Sequence, residues 1–345
     1  MSGIPTPTAT PVGSTPIPAL DSSKVKAFGL AAAGQYVKNT KIPKKKNRNR
    51  ANFFFFFFLF SAGILLDESG SMIIKPCTAA EVSFYETCIA SHPEFAAFMP
   101  TFFGTLQLSN PTAAPVANRN TNIVLSNITH GFTSPCIMDM KLGTRLWDEA
   151  ADAEKRARRD ALSNSTTSGP LGFRVVGMKV YKGISAIGTD PAINSTGYRA
   201  YDKYYGHKFT AENVIDAFRE YFTSEISPDQ VRLVVERWRK KISEIKTVLE
   251  NHESRMYGAS ILFCYEGNAK AFEEALKEEA KQEHRACEEE GEEEEGEEGE
   301  EKPKMVEDLK LIDFAHMSWT PGLGPDENAL KGVRNIETLL KQLSR

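Results

Sequence analysis

The sequence predicts an α+β fold, large enough for two lobes or one sizeable domain. Three observations carry the prediction. At 345 residues and 38.3 kDa the chain can bury an extensive core. Its 41% hydrophobic and 26% charged residues are the balance of a soluble globular protein. Apolar runs of strand length, and longer segments with apolar residues at helical spacing, both recur along it.

In chain order, residues 1–22 are rich in Pro, Thr and Ser and are expected to be disordered, and no signal peptide opens the chain. Lys44 to Arg50 is basic, and Phe53 to Leu66 begins with six consecutive phenylalanines. That run falls short of the roughly 20 residues that cross a bilayer, so no membrane span is expected. Asp67 to Gly70 is turn chemistry, and Met72 to Lys75 reads as a short strand. The spacing of Val82, Tyr85 and Ile89 predicts a helix over Ala79 to Ser91, with Glu81 in its first turn. Phe102 to Leu108 and Asn122 to Leu125 read as strands around a polar loop from Asn110 to Thr121. Asp148 to Leu162 reads as a charged helix, Gly172 to Tyr181 as a buried strand, and Thr210 to Phe222 and Pro228 to Glu250 as helices. Ser260 to Tyr265 and Leu309 to Phe314 are strands, separated by a helix that runs from Ala271 into acidic low complexity, and Glu327 to Leu343 is a closing helix.

Net charge is −4, and the average conceals segregation, since Glu288 to Glu301 is almost wholly acidic apart from glycines. Such a tract repels itself and is read as a solvated insertion over residues 284–304. Five cysteines without paired spacing fit reduced thiols better than disulfides or a zinc site. There is no Walker A motif, and the basic residues are not interleaved with aromatics as a nucleic-acid surface would be.

The most informative stretch is Pro135 to Gly143, which has the form PxxxDxKxG. Residues two apart on a strand point the same way, so Asp139 and Lys141 address one ligand from one surface. Lys75 ends an apolar strand six positions before Glu81, the arrangement that phosphoryl transfer uses to hold a cation over nucleotide phosphates. Asp313 follows Leu309, Leu311 and Ile312, and a carboxylate at a buried strand end needs a cation or donors. Mg2+ bound to one or two carboxylates and nucleotide phosphates would meet that need. Lys155, Arg158 and Arg159 fall at i, i+3 and i+4 and share a helix face, which is either a solvated surface or an anion-binding one.

Four motifs in this order make the chain resemble the inositol polyphosphate kinases: Ile74-Lys75-Pro76, PxxxDxKxG, Ser260-Ile261-Leu262 and Ile312-Asp313-Phe314. The likeness runs from about residue 63 to the C-terminus and is greatest to the fungal-type multikinases, through Thr166 to Arg174, the acidic insertion, Ile312 to His316 and Asp326 to Asn328. It implies a two-lobed, protein-kinase-like fold with antiparallel sheets and an ATP cleft between the lobes. On that reading residues 63–128 form the N-lobe and hinge, and residues 129–345 the C-lobe. By position, the resemblance implies ATP contacts at Lys75, Ser126, Ile128, Asp139 and Asp313, with Mg2+ on Asp313. It implies substrate contacts at Lys141, Lys155, Arg158, Arg159, Lys203 and His316, with Asp139, Lys141 and Asp313 at the chemistry. The expected activity is ATP-dependent phosphorylation of inositol tris- and tetrakisphosphate. Alternatives are a hexakisphosphate kinase and a nuclear transcription-complex scaffold that docks partners through its acidic tract. A monomer, nuclear and cytoplasmic, is expected.

Two departures stand out. Ser126 takes the place of a glutamate usual in the family's linker, leaving main-chain contacts to adenine. A segment that the family keeps continuous is interrupted between Ala32-Ala33-Gly34 and Gly63-Ile64-Leu65, so residues from about 35 to 62 are read as an aberrant insertion, hypothetically an unspliced intron. Sequencing the mature transcript decides this, and codons for that stretch in it would end the idea.

Overall fold

The computed structural model describes residues 25–27, 64–67, 69–107, 121–288 and 304–345. The expectations for residues 1–22, the insertion at about 35–62, most of the loop before Thr121 and the acidic residues 289–303 lie outside these. Two five-stranded antiparallel sheets organise the chain. The first, in order β1-β2-β3-β5-β4, contains β1 (Val25–Ala27), β2 (Leu65–Asp67), β3 (Met72–Pro76), β4 (Phe102–Gln107) and β5 (Thr121–Ser126). Residues 127–134 then lead into the second, ordered β11-β10-β6-β7-β8: β6 (Pro135–Leu142), β7 (Phe173–Tyr181), β8 (Tyr198–Tyr201), β10 (Ser260–Glu266) and β11 (Glu307–Ile312). The smaller β9 (Ser254–Met256) pairs with β12 (Met317–Trp319).

The helices are α1 (Ala79–Ser91), α2 (Pro93–Ala96), α3 (Ala153–Asn164), α4 (Ser168–Leu171), α5 (Lys203–Gly206), α6 (Ile215–Tyr221), α7 (Pro228–Asn251), α8 (Ala269–Glu288) and α9 (Glu327–Leu343). Among the described residues no helix is long and apolar enough to cross a membrane. In α7 a capping box between Ser227 and Gln230 fixes the start, and Val234, Val235, Trp238, Ile242, Ile245 and Leu249 form its buried stripe. Along β6, Cys136, Met138, Met140 and Leu142 face the main core, which α7 and α9 cover, while Ile137, Asp139 and Lys141 face the other way.

Four expectations about elements need correction, one of them the helix expected from Thr210, which runs only over Ile215–Tyr221. The buried face of α1 is Glu81, Phe84, Tyr85 and Cys88, and Ile89 is exposed, because Phe84 rather than Val82 meets the aromatic rings of the second lobe. The charged helix begins at Ala153, not Asp148, because the Asp152 side chain accepts from the Lys155 amide and caps it there. β11 ends at Ile312, and Asp313 turns into the left-handed region with φ 68°, the only described non-glycine residue to do so.

Candidate active site

Between the two sheets lies a cavity of about 270 Å³, with walls that include Lys75, Lys141 and Asp313 from three of the four motifs above. Lys75 closes β3, and its ammonium lies 2.8 Å from Glu81 on α1 and 3.7 Å from Asp313 Oδ1. Lys141 near the end of β6 lies 2.9 Å from Asp313 Oδ2 and donates to the Gly258 carbonyl at 2.8 Å. One carboxylate thus bridges two ammonium groups that are far apart in the chain. Crowding by protein atoms pushes the Asp313 carboxyl up, but Lys141 and then Lys75 outweigh this and hold it at about 2. Burial likewise opposes charge on Lys75, and Asp313 and Glu81 keep its ammonium above the ordinary lysine value.

Asp139 is buried on the same face of the sheet, with Oδ1 unpartnered among the described residues. Burial raises its carboxyl, against the attraction of Lys141 and helped by repulsion from Asp313. A buried acceptor with no donor, near a second carboxylate that is 40% exposed, suits a hard divalent cation, which takes one or two protein carboxylates and fills its shell with phosphates and water. No group of three or more metal-ligating side chains is gathered among the described residues. Gly143 ends the motif because its φ is 95° and an added Cβ would lie 2.5 Å from the Asn328 amide nitrogen. Asn328 in turn accepts from the Thr144 and Arg145 amides, pinning the loop after Lys141 to the start of α9.

The cavity is strongly basic. Lys75, Lys141, Lys155, Arg159 and Arg174 line it, against Glu81 and Asp313. Arg174 was not predicted as a site residue. A β-bulge in β7 between the partners of Asp139 and Met140 shifts the register by one, so Phe173, Val175, Met178 and Val180 all reach the core while Arg174 stands opposite Lys141. Alternation in the sequence cannot show such a shift, although an arginine within an otherwise buried strand was the available signal. Arg174 donates to Ser168 Oγ, and burial, with repulsion from Arg159, pushes its guanidinium down to about 10, still charged at neutral pH. Trp147, Tyr257 and Leu146 form the apolar part of the wall. Arg145 lies 3.8 Å from the Trp147 ring centroid and 4.7 Å from that of Tyr257.

Of the predicted anion-binding residues, Lys155 and Arg159 line the cavity, and the Arg159 Nε is buried without a partner among the described residues. Arg158 is exposed and does not line it, because only i and i+4 of the cluster turn inward. Lys203 does not line it either: it starts the short α5, with its ammonium 5.2 Å from the Tyr204 ring centroid. His316 does line it, and its Nδ1 meets Asp148 Oδ2 at 2.5 Å. Towards the linker the cleft face becomes apolar, with Ile137, Leu262 and Cys264 packed by Ile128, Phe132 and Ile312. The Ser126 hydroxyl accepts from the Thr101 amide, and among the described residues no hydrogen bond uses the main chain of Ile128. The site therefore has an apolar cluster beside the unused main chain of Ile128 towards the linker, and converging cations around paired carboxylates in the cavity.

Comparison with known proteins agrees with this geometry. A family model described as inositol polyphosphate kinase matches residues 122–341. The inositol polyphosphate multikinase of Saccharomyces cerevisiae is 32% identical over 81% of this chain and 93% of its own length, and that of Schizosaccharomyces pombe is 31% identical over 79% and 90%. Human inositol hexakisphosphate kinase 1 is 30% identical over 64% of the chain and 52% of its own length. Among solved structures, the multikinase Ipk2 of S. cerevisiae in complex with ADP and Mn2+ superposes with a TM-score of 0.62 at 29% identity, over 80% of this chain and all of that one. From the matched domain, the full-length relatives and the shared two-lobed architecture, the chain belongs to the inositol polyphosphate kinase family.

Proposed function

We propose that this protein transfers the γ-phosphate of ATP to ring hydroxyls of soluble inositol polyphosphates, with inositol tris- and tetrakisphosphate as acceptors and Mg2+ as the working cation. The observation that carries this reading is the convergence of Lys75, Lys141, Lys155, Arg159 and Arg174 on one cavity beside Asp313. A densely anionic small molecule needs such a set, and arginine forks suit phosphate oxygens. The fungal relatives bear the name of this activity, and the solved relative was captured with ADP and Mn2+.

Each residue's part follows from its place. The apolar patch at Ile137, Leu262 and Ile128 takes the purine, and the free main-chain groups of Ile128 meet its polar edge. Lys75, braced by Glu81, holds the nucleotide phosphates. Asp139 and Asp313 would hold the divalent cation, which when bound neutralises phosphate charge. Lys141 sits beside Asp313 at the floor of the basic cavity, where donor and acceptor must meet. Lys155, Arg159 and Arg174 bind acceptor phosphates, and His316 contacts the ring. Positioning and charge neutralisation supply most of the acceleration in phosphoryl transfer, so a site with no obvious spare carboxylate base is adequate.

Incubation with labelled ATP and, separately, inositol tris-, pentakis- and hexakisphosphate, followed by product separation, tests this. Phosphate should pass to the trisphosphate and not to the hexakisphosphate. Asp313→Asn should lower turnover at least about 100-fold, the scale seen when one group stabilising transition-state charge is lost. Undiminished turnover by Asp313→Asn would refute the arrangement, and transfer confined to hexakisphosphate would favour the pyrophosphate-forming branch of the family.

A further inference from the structure

We propose that Asp148 is a positioning residue for His316, fixing the imidazole so that Nε2 is presented to the acceptor hydroxyl. This deepens the kinase reading above and rests on it. The two residues come from separate loops, Asp148 between β6 and α3 and His316 after β11, and they meet at the cavity rim through Nδ1 and Oδ2 at 2.5 Å. The Asp148 carboxylate is mostly buried, and its other oxygen is buried without a hydrogen-bond partner among the described residues, so its one charged-group contact there is with this ring. In the proposed tautomer the ring N–H faces this carboxylate at Nδ1 and the lone pair is on Nε2. Nε2 has no partner among the described residues, and the ring lines the same cavity as Lys141 and Asp313.

Both loops are held independently of the pair. The Asn328 side chain accepts from the Thr144 and Arg145 amides, and the Asp148 carbonyl accepts from the Ala151 amide. On the other side, the His316 carbonyl accepts from the Tyr257 amide. The contact is therefore not needed to place the loops, and its effect is concentrated on the orientation and tautomer of one ring. With Nε2 as a hydrogen-bond acceptor, the ring holds the acceptor hydroxyl with its oxygen lone pair turned towards the donor phosphate. Without Asp148 the imidazole can rotate or take the other tautomer, and the hydroxyl loses that alignment.

A double-mutant cycle on the full chain tests this with Asp148→Asn, His316→Gln and both together, measuring kcat and KM for inositol trisphosphate, KM for ATP and melting temperature. Asp148→Asn should lower kcat by about tenfold, the scale of one charge-assisted hydrogen bond, with KM for ATP unchanged. In the His316→Gln background the same substitution should change kcat by less than about twofold, because its target has gone. Asp148→Glu, which keeps the charge, should recover part of the loss and provides a second probe should the asparagine variant fold poorly. Equal losses in both backgrounds, or a loss that Asp148→Glu shares in full, would overturn the proposal and leave the pair a rim contact. Failure of the unmodified chain to phosphorylate inositol trisphosphate would instead overturn the kinase reading, and this proposal with it.

Discussion

Asp313 concentrates the conflict that makes the site. It is the one described non-glycine residue in the left-handed region, which aspartate and asparagine tolerate better than other side chains, and that turn lets its two oxygens face two different lysines. The ordinary carboxyl value is 3.8, and here it is held at about 2. The sign follows directly: a depressed folded pKa gives stability that is fully present above the unfolded value and is lost as pH falls through the folded one. With its side chain 40% exposed, solvent screening reduces the effect to roughly 1 kcal/mol. Urea melts between pH 5 and pH 2 should therefore show the unmodified chain losing about 1 kcal/mol more than Asp313→Asn. Asparagine keeps the backbone conformation, so a parallel decline in both proteins would mean that Lys75 and Lys141 do not hold the carboxylate in solution.

At the scale of elements, the basic wall of the cavity depends on where α3 begins. Asp152 accepts from the Lys155 amide, which fixes the first turn and sends Lys155 and, one turn later, Arg159 into the cavity. Asp152→Ala should cost about 1 kcal/mol of stability, typical of a lost N-cap, and raise KM for the inositol phosphate more than KM for ATP. Chemical denaturation together with steady-state kinetics checks both, and equal rises in the two KM values would argue against this role for the helix. The same element shows what was legible beforehand. Charge spacing marks Lys155 and Arg159 as neighbours, but it marks Arg158 equally, because periodicity gives a face about 100° wide and not the part of it that meets a cavity. The PxxxDxKxG strand was readable because alternation and a turn glycine both depend on local backbone geometry. Arg174 was less so: an arginine between two apolar strand residues was a local signal, but that its face meets the cavity follows from the pairing with β6 opposite Lys141. The Asp148–His316 contact was hidden for a similar reason: nothing near either residue specifies a partner 168 positions away.

At the scale of the whole molecule, the lobes are joined by a seam of aromatic side chains and edge hydrogen bonds. Phe314, next to Asp313, stacks on Phe84 of α1 with ring centroids 5.3 Å apart, and Phe84 also stacks on Trp319 at 5.2 Å. The Leu311 amide donates to the Phe98 carbonyl at 2.7 Å. The helix that carries Glu81 is thus packed directly on the turn that carries Asp313, and Lys75 lies between their two carboxylates. The first sheet joins this seam through β3 and β5, and its far edge is β1 paired to β2, with Val25 opposite Asp67 and Ala27 opposite Leu65. Antiparallel pairing brings the chain back beside the point where it left, and neither β1 nor β2 lines the cavity. Excising residues 35–62 leaves a shorter connection between the same two partners. Loop-closure entropy grows only with the logarithm of length, so the deletion should stabilise the sheet by no more than about 1 kcal/mol. The deleted protein should melt at or slightly above the temperature of the full chain and keep its turnover of inositol trisphosphate, because the elements that carry Lys75, Asp139, Lys141 and Asp313 are untouched. A deleted protein that folds but loses turnover would show that the inserted residues contribute to the site, and one that fails to fold would show that the β1–β2 pairing needs them.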